Sequence, residues 1–107
     1  MSLDISLHEV SRHSVYEDNI THNLTKMAEA LGVYKAIWHP EEVGIKYAKD
    51  LGTILEHKYI ELLSNSKKYK QYNATNGWGM YENFCRFINE LLIACKEHPD
   101  AEIEVGR

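Results

Sequence analysis

The residues best suited to chemistry lie in one turn, Asn76-Gly77-Trp78-Gly79, which is followed almost at once by Tyr81. Asn-Gly accommodates a positive φ at little steric cost, and the second glycine lets the backbone approach another segment or a ligand closely. Tryptophan and tyrosine together offer stacking surfaces and hydrogen-bond donors, which suit a planar or nucleotide-like ligand. The same turn could instead clamp a tryptophan into the core, and the sequence leaves both interpretations open.

Two further polar clusters stand at predicted helix starts. Thr21-His22-Asn23 would place a histidine where backbone amides favour an anion and where its ring could also move a proton. The alternative is that Thr21 caps the helix and His22 packs locally. Trp38, followed by His39-Pro40-Glu41-Glu42, offers an aromatic face, a titratable ring and carboxylates. A core tryptophan before an acidic first helical turn would have the same sequence.

The six histidines give no pattern typical of a metal site. No two of them have the H-x-x-x-H spacing that puts two ligands on one helical face, and the cysteines do not form C-x-x-C. His57 and Glu61 have the spacing of a simple pair on a helix surface. No phosphate-binding G-x-x-x-x-G-K-[ST], dinucleotide-binding G-x-G-x-x-G or nucleophile elbow is present. The sequence therefore predicts neither a metal site nor a cofactor.

Composition excludes several other classes of protein. The 107 residues are expected to form a single domain, 1–107, with a formal net charge of −4. This charge argues against a non-specific grip on duplex nucleic acid, which requires several neutralised phosphates. No apolar run approaches the ~20 residues of a membrane span, and no signal-peptide pattern is present. Cys85 and Cys95, ~15 Å apart along one predicted helix, cannot pair with each other. We expect a cytoplasmic protein that does not enter a membrane.

Alternating apolar residues mark a strand near each end of the chain, in Leu3-Asp4-Ile5-Ser6-Leu7 and in Ala101-Glu102-Ile103-Glu104-Val105. Two strands that each need one buried face should pair antiparallel under a layer of helices. They could also pair across a two-fold axis, which would give a homodimer. Residues 8–18 are harder to assign. They either extend the first strand through Val10 and Val15-Tyr16 or form a loop or hairpin.

Three stretches between these strands repeat apolar residues at helical spacing. The first follows a cluster of capping residues at 18–21 and ends at Gly32. The second runs from Pro40 to Leu62, with a break credible at Gly44, and residues 67–72 add one or two helical turns. The last begins at Tyr81 and is stopped by Pro99. The predicted fold class is therefore α+β and mainly helical, with three to four helices packed on a small antiparallel pairing of the N- and C-terminal strands.

Four spaced motifs resemble those of a family of small, largely uncharacterised proteins from phages and prophages. The motifs are Asn19-Ile20-Thr21-His22-Asn23-Leu24, Trp38-x-Pro40-Glu41-Glu42, Asn76-Gly77-Trp78-Gly79-x-Tyr81 and Ile103-x-Val105-x-Arg107. Together they extend over residues 19–107 in the order typical of that family. His39 stands where the family pattern has an arginine, and Gly106 where it has a serine.

The resemblance implies a small phage accessory protein, similar in kind to proteins that sequester a host signalling nucleotide or block a host defence protein. We therefore expect a non-enzymatic protein that binds a small phosphorylated or nucleotide-like ligand and has a counter-defence role. Trp78 or Tyr81 would stack on a base, and Arg107 would pair with a phosphate. The full predicted site consists of His22, Asn23, Trp38, Asn76, Gly77, Trp78, Tyr81 and Arg107.

Two other functions fit the same residues. An exposed aromatic patch at Trp78 would suit a protein–protein interaction module that inhibits a host factor. A nucleotide-directed hydrolase would use His22 as its acid or base. Two structural features discriminate among these functions. One is whether Trp78 is exposed, and the other is whether four residues meet in one concave pocket, namely His22, Asn76, Trp78 and Arg107.

Overall fold

A three-stranded antiparallel sheet forms one layer of the computed structural model, which describes residues 1–9 and 13–107. Its strands are β1 (Ser2–Glu9), β2 (His13–Thr21) and β3 (Glu102–Gly106), in the spatial order β2-β1-β3. The central strand β1 places Ile5 opposite Val105 of β3. The predicted antiparallel pairing of the two terminal strands is confirmed, and it is made within one chain.

The strand β2 is the element that the sequence left open. It pairs antiparallel with β1, with Leu3 opposite Ile20 and Leu7 opposite Tyr16. Ile20 is the buried residue of β2, and the other positions are half-buried or exposed. The alternation of apolar and polar residues that marks a strand is therefore weak here, because few side chains of this edge strand are buried in the core. Val10 lies outside the described residues.

Helices cover the apolar face of the sheet. None within the described ranges has both the length and the apolar composition needed to cross a lipid bilayer. Two 3-10 turns, His22–Leu24 and Pro40–Val43, connect the elements. The predicted class, α+β and mainly helical, is confirmed. The α-helices are α1 (Thr25–Leu31), α2 (Tyr34–Trp38), α3 (Ala48–Ser64), α4 (Ser66–Lys70) and α5 (Tyr81–Glu97).

Local chemistry explains where the helices begin and end. The first helix starts later than predicted, because the capping cluster belongs to β2 and Thr21 caps the 3-10 turn instead. Its Oγ1 accepts the backbone N–H of Asn23 at 3.2 Å. Gly32 ends α1 in the left-handed region, at a φ of 87°. Gly44, at a φ of 73°, separates the Pro40 turn from α3, so the predicted long helix has the break that glycine allowed.

The two long helices, α3 and α5, pack against each other in opposite directions. At one end Gly52 lies so close to α5 that an added Cβ would stand 3.2 Å from the Cβ of Cys95. At the other end the Tyr81 hydroxyl donates a hydrogen bond to the Leu62 carbonyl at 2.8 Å. The start of α5, and with it the preceding turn, is therefore anchored beside the C-terminal end of α3.

Candidate functional site

The turn before α5, residues 73–80, presents Trp78 to solvent on a backbone that is held by two hydrogen bonds. Trp78 is 74% exposed. Its backbone N–H donates to Asn76 Oδ1 at 2.9 Å, and its carbonyl accepts from Asn23 Nδ2 at 2.7 Å. Trp78 is therefore no core anchor, which resolves the two interpretations of the turn. An indole on a backbone that is already held loses little conformational freedom when it meets a partner.

Close contact with Asn23 explains the second glycine of the turn. Gly79 has a φ of 121°, and a Cβ at this position would stand 2.9 Å from the Cβ of Asn23. Gly77 also has a positive φ, 79°, yet none of the described residues has an atom within 4 Å of its Cβ position. Gly77 therefore reverses the chain, whereas Gly79 lets the turn lie against the 3-10 turn that carries His22 and Asn23.

A groove of about 600 Å³, here called the polar groove, lies between this turn and the 3-10 turn at residues 22–24. Amides and hydroxyls dominate its lining, with Lys26 as a cation, and the described residues contribute no carboxylate to it. Three other grooves each include a carboxylate, for example Glu90, Asp18 and Glu41. The polar groove is lined by His22, Asn23, Thr25, Lys26, Gln71, Tyr72, Asn73, Ala74, Thr75 and Asn76.

A buried tryptophan fixes the hydrogen-bonding state of His22. Trp38 is 1% exposed, and its Nε1–H donates to His22 Nδ1 at 3.0 Å. Because the indole nitrogen can only donate, Nδ1 must be the unprotonated, accepting nitrogen of the imidazole. The proton of the neutral ring then sits on Nε2. His22, which lines the polar groove, therefore offers a hydrogen-bond donor at this nitrogen.

Three asparagines of the polar groove each use one end of the side-chain amide to hold the turn. Asn23 Nδ2 donates to the Trp78 carbonyl, Asn76 Oδ1 accepts from the Trp78 N–H, and Asn73 Oδ1 accepts from the Tyr81 N–H at 2.7 Å. The opposite ends, one oxygen and two NH₂ groups, make no hydrogen bond within the described part of the chain. The groove thus offers both donors and acceptors on side chains that are already oriented.

Trp38 and Tyr81 do not take the ligand-facing positions predicted for them. Trp38 lies in the core, and its one polar side-chain group, the indole N–H, donates a hydrogen bond to His22. Tyr81 is 7% exposed, and its hydroxyl is bound to the Leu62 carbonyl. Both rings are buried because they sit on the apolar faces of α2 and α5. Trp38 is accordingly a positioning residue for His22, and Tyr81 a packing residue of the α3–α5 contact.

Arg107 is also placed differently from the prediction. Its Nη1 donates to the Trp38 carbonyl at 2.8 Å and to Glu41 Oε1 at 2.9 Å. It lines a separate groove beside β3, so its charge is already matched by a carboxylate away from the polar groove. The predicted single pocket is in fact divided: His22, Asn23 and Asn76 share the polar groove.

The exposed indole borders a different and smaller groove. Gly77 and Trp78 line a cleft of about 270 Å³ together with Asn83 and Arg86. Arg86 makes a long ion pair of 3.8 Å with Glu90, which leaves its guanidinium largely open to other partners. The turn before α5 therefore separates two clefts, of which one is the amide-rich polar groove and the other carries the indole.

Sequence reasoning missed Lys26, Tyr72 and Asn73. Lys26 is a lone exposed lysine on α1, and no pattern distinguishes it from other surface lysines. Asn73 is a capping type of residue, but the amide that it caps belongs to Tyr81, eight positions later. No capping motif has that spacing, because the intervening turn must fold before the two residues meet.

The two cysteines are poorly suited to nucleophilic chemistry. Burial raises the pKa of the Cys95 thiol to about 12. Burial is also the main cause that raises the pKa of the Cys85 thiol. Both side chains therefore stay as neutral thiols near neutral pH, and the reactive thiolate is disfavoured.

Comparison of the chain with protein-family models, with curated proteins and with solved structures gave no match.

Substituting the turn glycines tests the contact with Asn23. We expect Gly79→Ala to lower the free energy of unfolding by ~2–3 kcal/mol, since it adds a steric clash to an unfavourable φ. Gly77→Ala is the matched control and should cost only ~1 kcal/mol, because its Cβ points into open space. Urea denaturation of both variants measures the difference. Equal losses would show that the close approach of Gly79 to Asn23 is not required.

Proposed function

We propose that this protein binds a small phosphorylated or nucleotide-like molecule in the polar groove. The observation that carries the proposal is the composition of the groove wall, in which amides, hydroxyls, His22 and Lys26 stand without a carboxylate from any described residue. The chain as a whole carries a net charge of −4, whereas this wall carries one lysine and no carboxylate from the described residues. The local charge of the wall therefore favours an anion over a cation. Its volume of about 600 Å³ lies in the range of small-molecule sites, ~300–1,000 Å³.

Each part of such a ligand has a matching group in the groove. The free ends of Asn23, Asn73 and Asn76 supply donors and an acceptor for the polar edge of a base. The His22 Nε2–H and the Lys26 ammonium supply donors for a phosphate. Tyr72 adds a partly exposed ring on which a planar group can stack. Since the asparagines and His22 are already held by the fold, binding orders few additional side chains.

The position of His22 favours binding over hydrolysis. A general base needs a free lone pair, and the only lone pair on the neutral His22 ring accepts the Trp38 N–H. The remaining Nε2–H of a neutral imidazole is a hydrogen-bond donor but a weak acid. We therefore favour a protein that holds its ligand unchanged, and the hydrolase alternative lacks its base in this arrangement.

The resemblance to phage and prophage proteins supports a biological setting for this binding. A small protein that captures a signalling nucleotide without converting it lowers the free concentration of that signal. In the cytoplasm of an infected host, such capture would act as counter-defence. This role rests on the resemblance, whereas the proposed binding rests on the groove.

A thermal-shift titration with nucleotides and cyclic nucleotides tests the proposed binding. A ligand at about 100 times its Kd should stabilise the fold by ~2.7 kcal/mol and raise Tm by roughly 10 °C. Lys26→Ala should weaken binding roughly 10- to 100-fold, because a hydrogen bond to a charged group contributes ~1.5–3 kcal/mol. Lys49→Ala, an exposed lysine outside the groove, is the control. A panel that leaves Tm unchanged, or an equal loss in the control, would refute the proposal.

The exposure of Trp78 supports a second candidate function, docking of a host protein. An indole that is 74% exposed, on a backbone held by two hydrogen bonds, resembles the aromatic anchors of protein interfaces. In a pull-down from host lysate, Trp78→Ala should then abolish capture of the partner. Ile60→Ala removes another apolar side chain, 63% exposed, and should not. Capture that is unaffected by the Trp78 substitution would exclude this function for the indole.

A further inference from the structure

A second cluster of functional side chains lies at the 3-10 turn between α2 and α3. The turn brings one potential metal-ligating atom from each of His39, Glu41 and Glu42 within 4.8 Å of one another. His39 Nδ1 lies 3.1 Å from Glu42 Oε2 and 4.0 Å from Glu41 Oε1. None of these residues lines the polar groove, so a role for this cluster is independent of the ligand binding proposed for that groove.

The Nδ1 atom of His39 is buried and has no hydrogen-bond partner among the described residues. The nearest carboxylate oxygen is close to it, at 3.1 Å, but is not aligned for an N–H···O bond. Nδ1 therefore faces a carboxylate oxygen at short range with no hydrogen bond between them. A cation bound to both atoms, placed off the straight line between them, would give each of them a partner.

The spacing of the two atoms is that expected of neighbouring ligands of one metal ion. With metal–ligand bonds of ~2.0–2.1 Å and tetrahedral angles, two ligand atoms stand ~3.3 Å apart. The 3.1 Å between His39 Nδ1 and Glu42 Oε2 is close to this value. The 4.0 Å to Glu41 Oε1 requires only a small rotation of an exposed, flexible side chain.

The other side of the imidazole is held in the manner of many metal-binding histidines. Tyr34 Oη lies 3.2 Å from His39 Nε2, and the Tyr34 ring stacks on buried Trp38 with a centroid distance of 5.6 Å. When Nδ1 binds a metal, Nε2 carries the proton and donates to this hydroxyl. A partner on the second nitrogen fixes the ring and the tautomer, as outer-layer hydrogen bonds commonly do in metal sites.

Two cations lie near the carboxylates and moderate the affinity of the cluster. Arg107 contacts Glu41 at 2.9 Å, and Lys35 lies 3.8 Å from Glu42. A carboxylate has about four lone-pair sites, enough for both a guanidinium and a metal ion.

We propose that His39, Glu41 and Glu42 form a binding site for a divalent transition metal ion of the Zn²⁺ class. One imidazole nitrogen with two carboxylate oxygens suits Zn²⁺, whereas Mg²⁺ and Ca²⁺ prefer oxygen ligands alone. Three protein ligands leave at least one coordination position for water or another ligand. The spacing H-x-E-E spans a tight turn, so a search for two histidines on one helical face does not find it.

Calorimetric titration of the full chain with Zn²⁺ tests the site. We expect saturable binding of one ion, at least tenfold weaker binding in His39→Gln and Glu42→Gln, and weaker binding of Mg²⁺ than of Zn²⁺. Tyr34→Phe should weaken Zn²⁺ binding roughly 10- to 100-fold. The control is His57→Gln, an exposed histidine on α3 with Glu61 four residues later, and it should bind like the wild type.

A spectroscopic readout separates coordination from a general effect on folding. Zn²⁺ should shift the ¹⁵N resonance of His39 Nδ1, and this shift should be absent in Glu42→Gln, whose exposed side chain allows the fold to persist. No saturable Zn²⁺ binding would overturn the proposal. So would an equal loss in His57→Gln, or unchanged affinity in both His39→Gln and Glu42→Gln.

Discussion

The hydrogen bond from buried Trp38 to His22 connects the core of this protein with its polar groove. A buried indole N–H without a partner would cost roughly 1–3 kcal/mol, so the fold needs an acceptor at this position. His22 Nδ1 supplies it at 3.0 Å. The requirement of the core thereby sets the tautomer of a groove residue. A donor that is fixed before the ligand arrives requires no reorganisation on binding.

The same tryptophan also supports the region of the proposed metal site. Its ring stacks with Tyr34, whose hydroxyl contacts His39, and its carbonyl accepts the hydrogen bond from Arg107. Trp38 thus stands between two clusters of polar side chains without belonging to either. His22 and His39 thus each contact one ring of the stacked pair formed by Trp38 and Tyr34.

The sequence predicted those features of the structure that depend on residues close together in the chain. Period-two alternation identified β1 and β3, and Gly32 marked the end of α1, because these signals are local. The exposure of Trp78 and the burial of Trp38 could not be told apart in advance, since both indoles stand beside turns. The ion pair of Arg107 with Glu41 spans 66 positions and depends on the completed fold. Of the predicted site, His22, Asn23 and Asn76 share one groove because all three lie at turns that pack together.

The protonation state of the His22 ring tests the central claim most directly. A long-range ¹H–¹⁵N spectrum of the labelled protein at neutral pH should show a neutral ring with Nδ1 unprotonated and the proton on Nε2. The Trp38 indole N–H should exchange slowly with solvent, and the Nε2 tautomer should lose its preference in Trp38→Phe. A His22 ring that carries its proton on Nδ1, or one that is indifferent to the loss of the indole, would contradict the proposed coupling between the core and the groove.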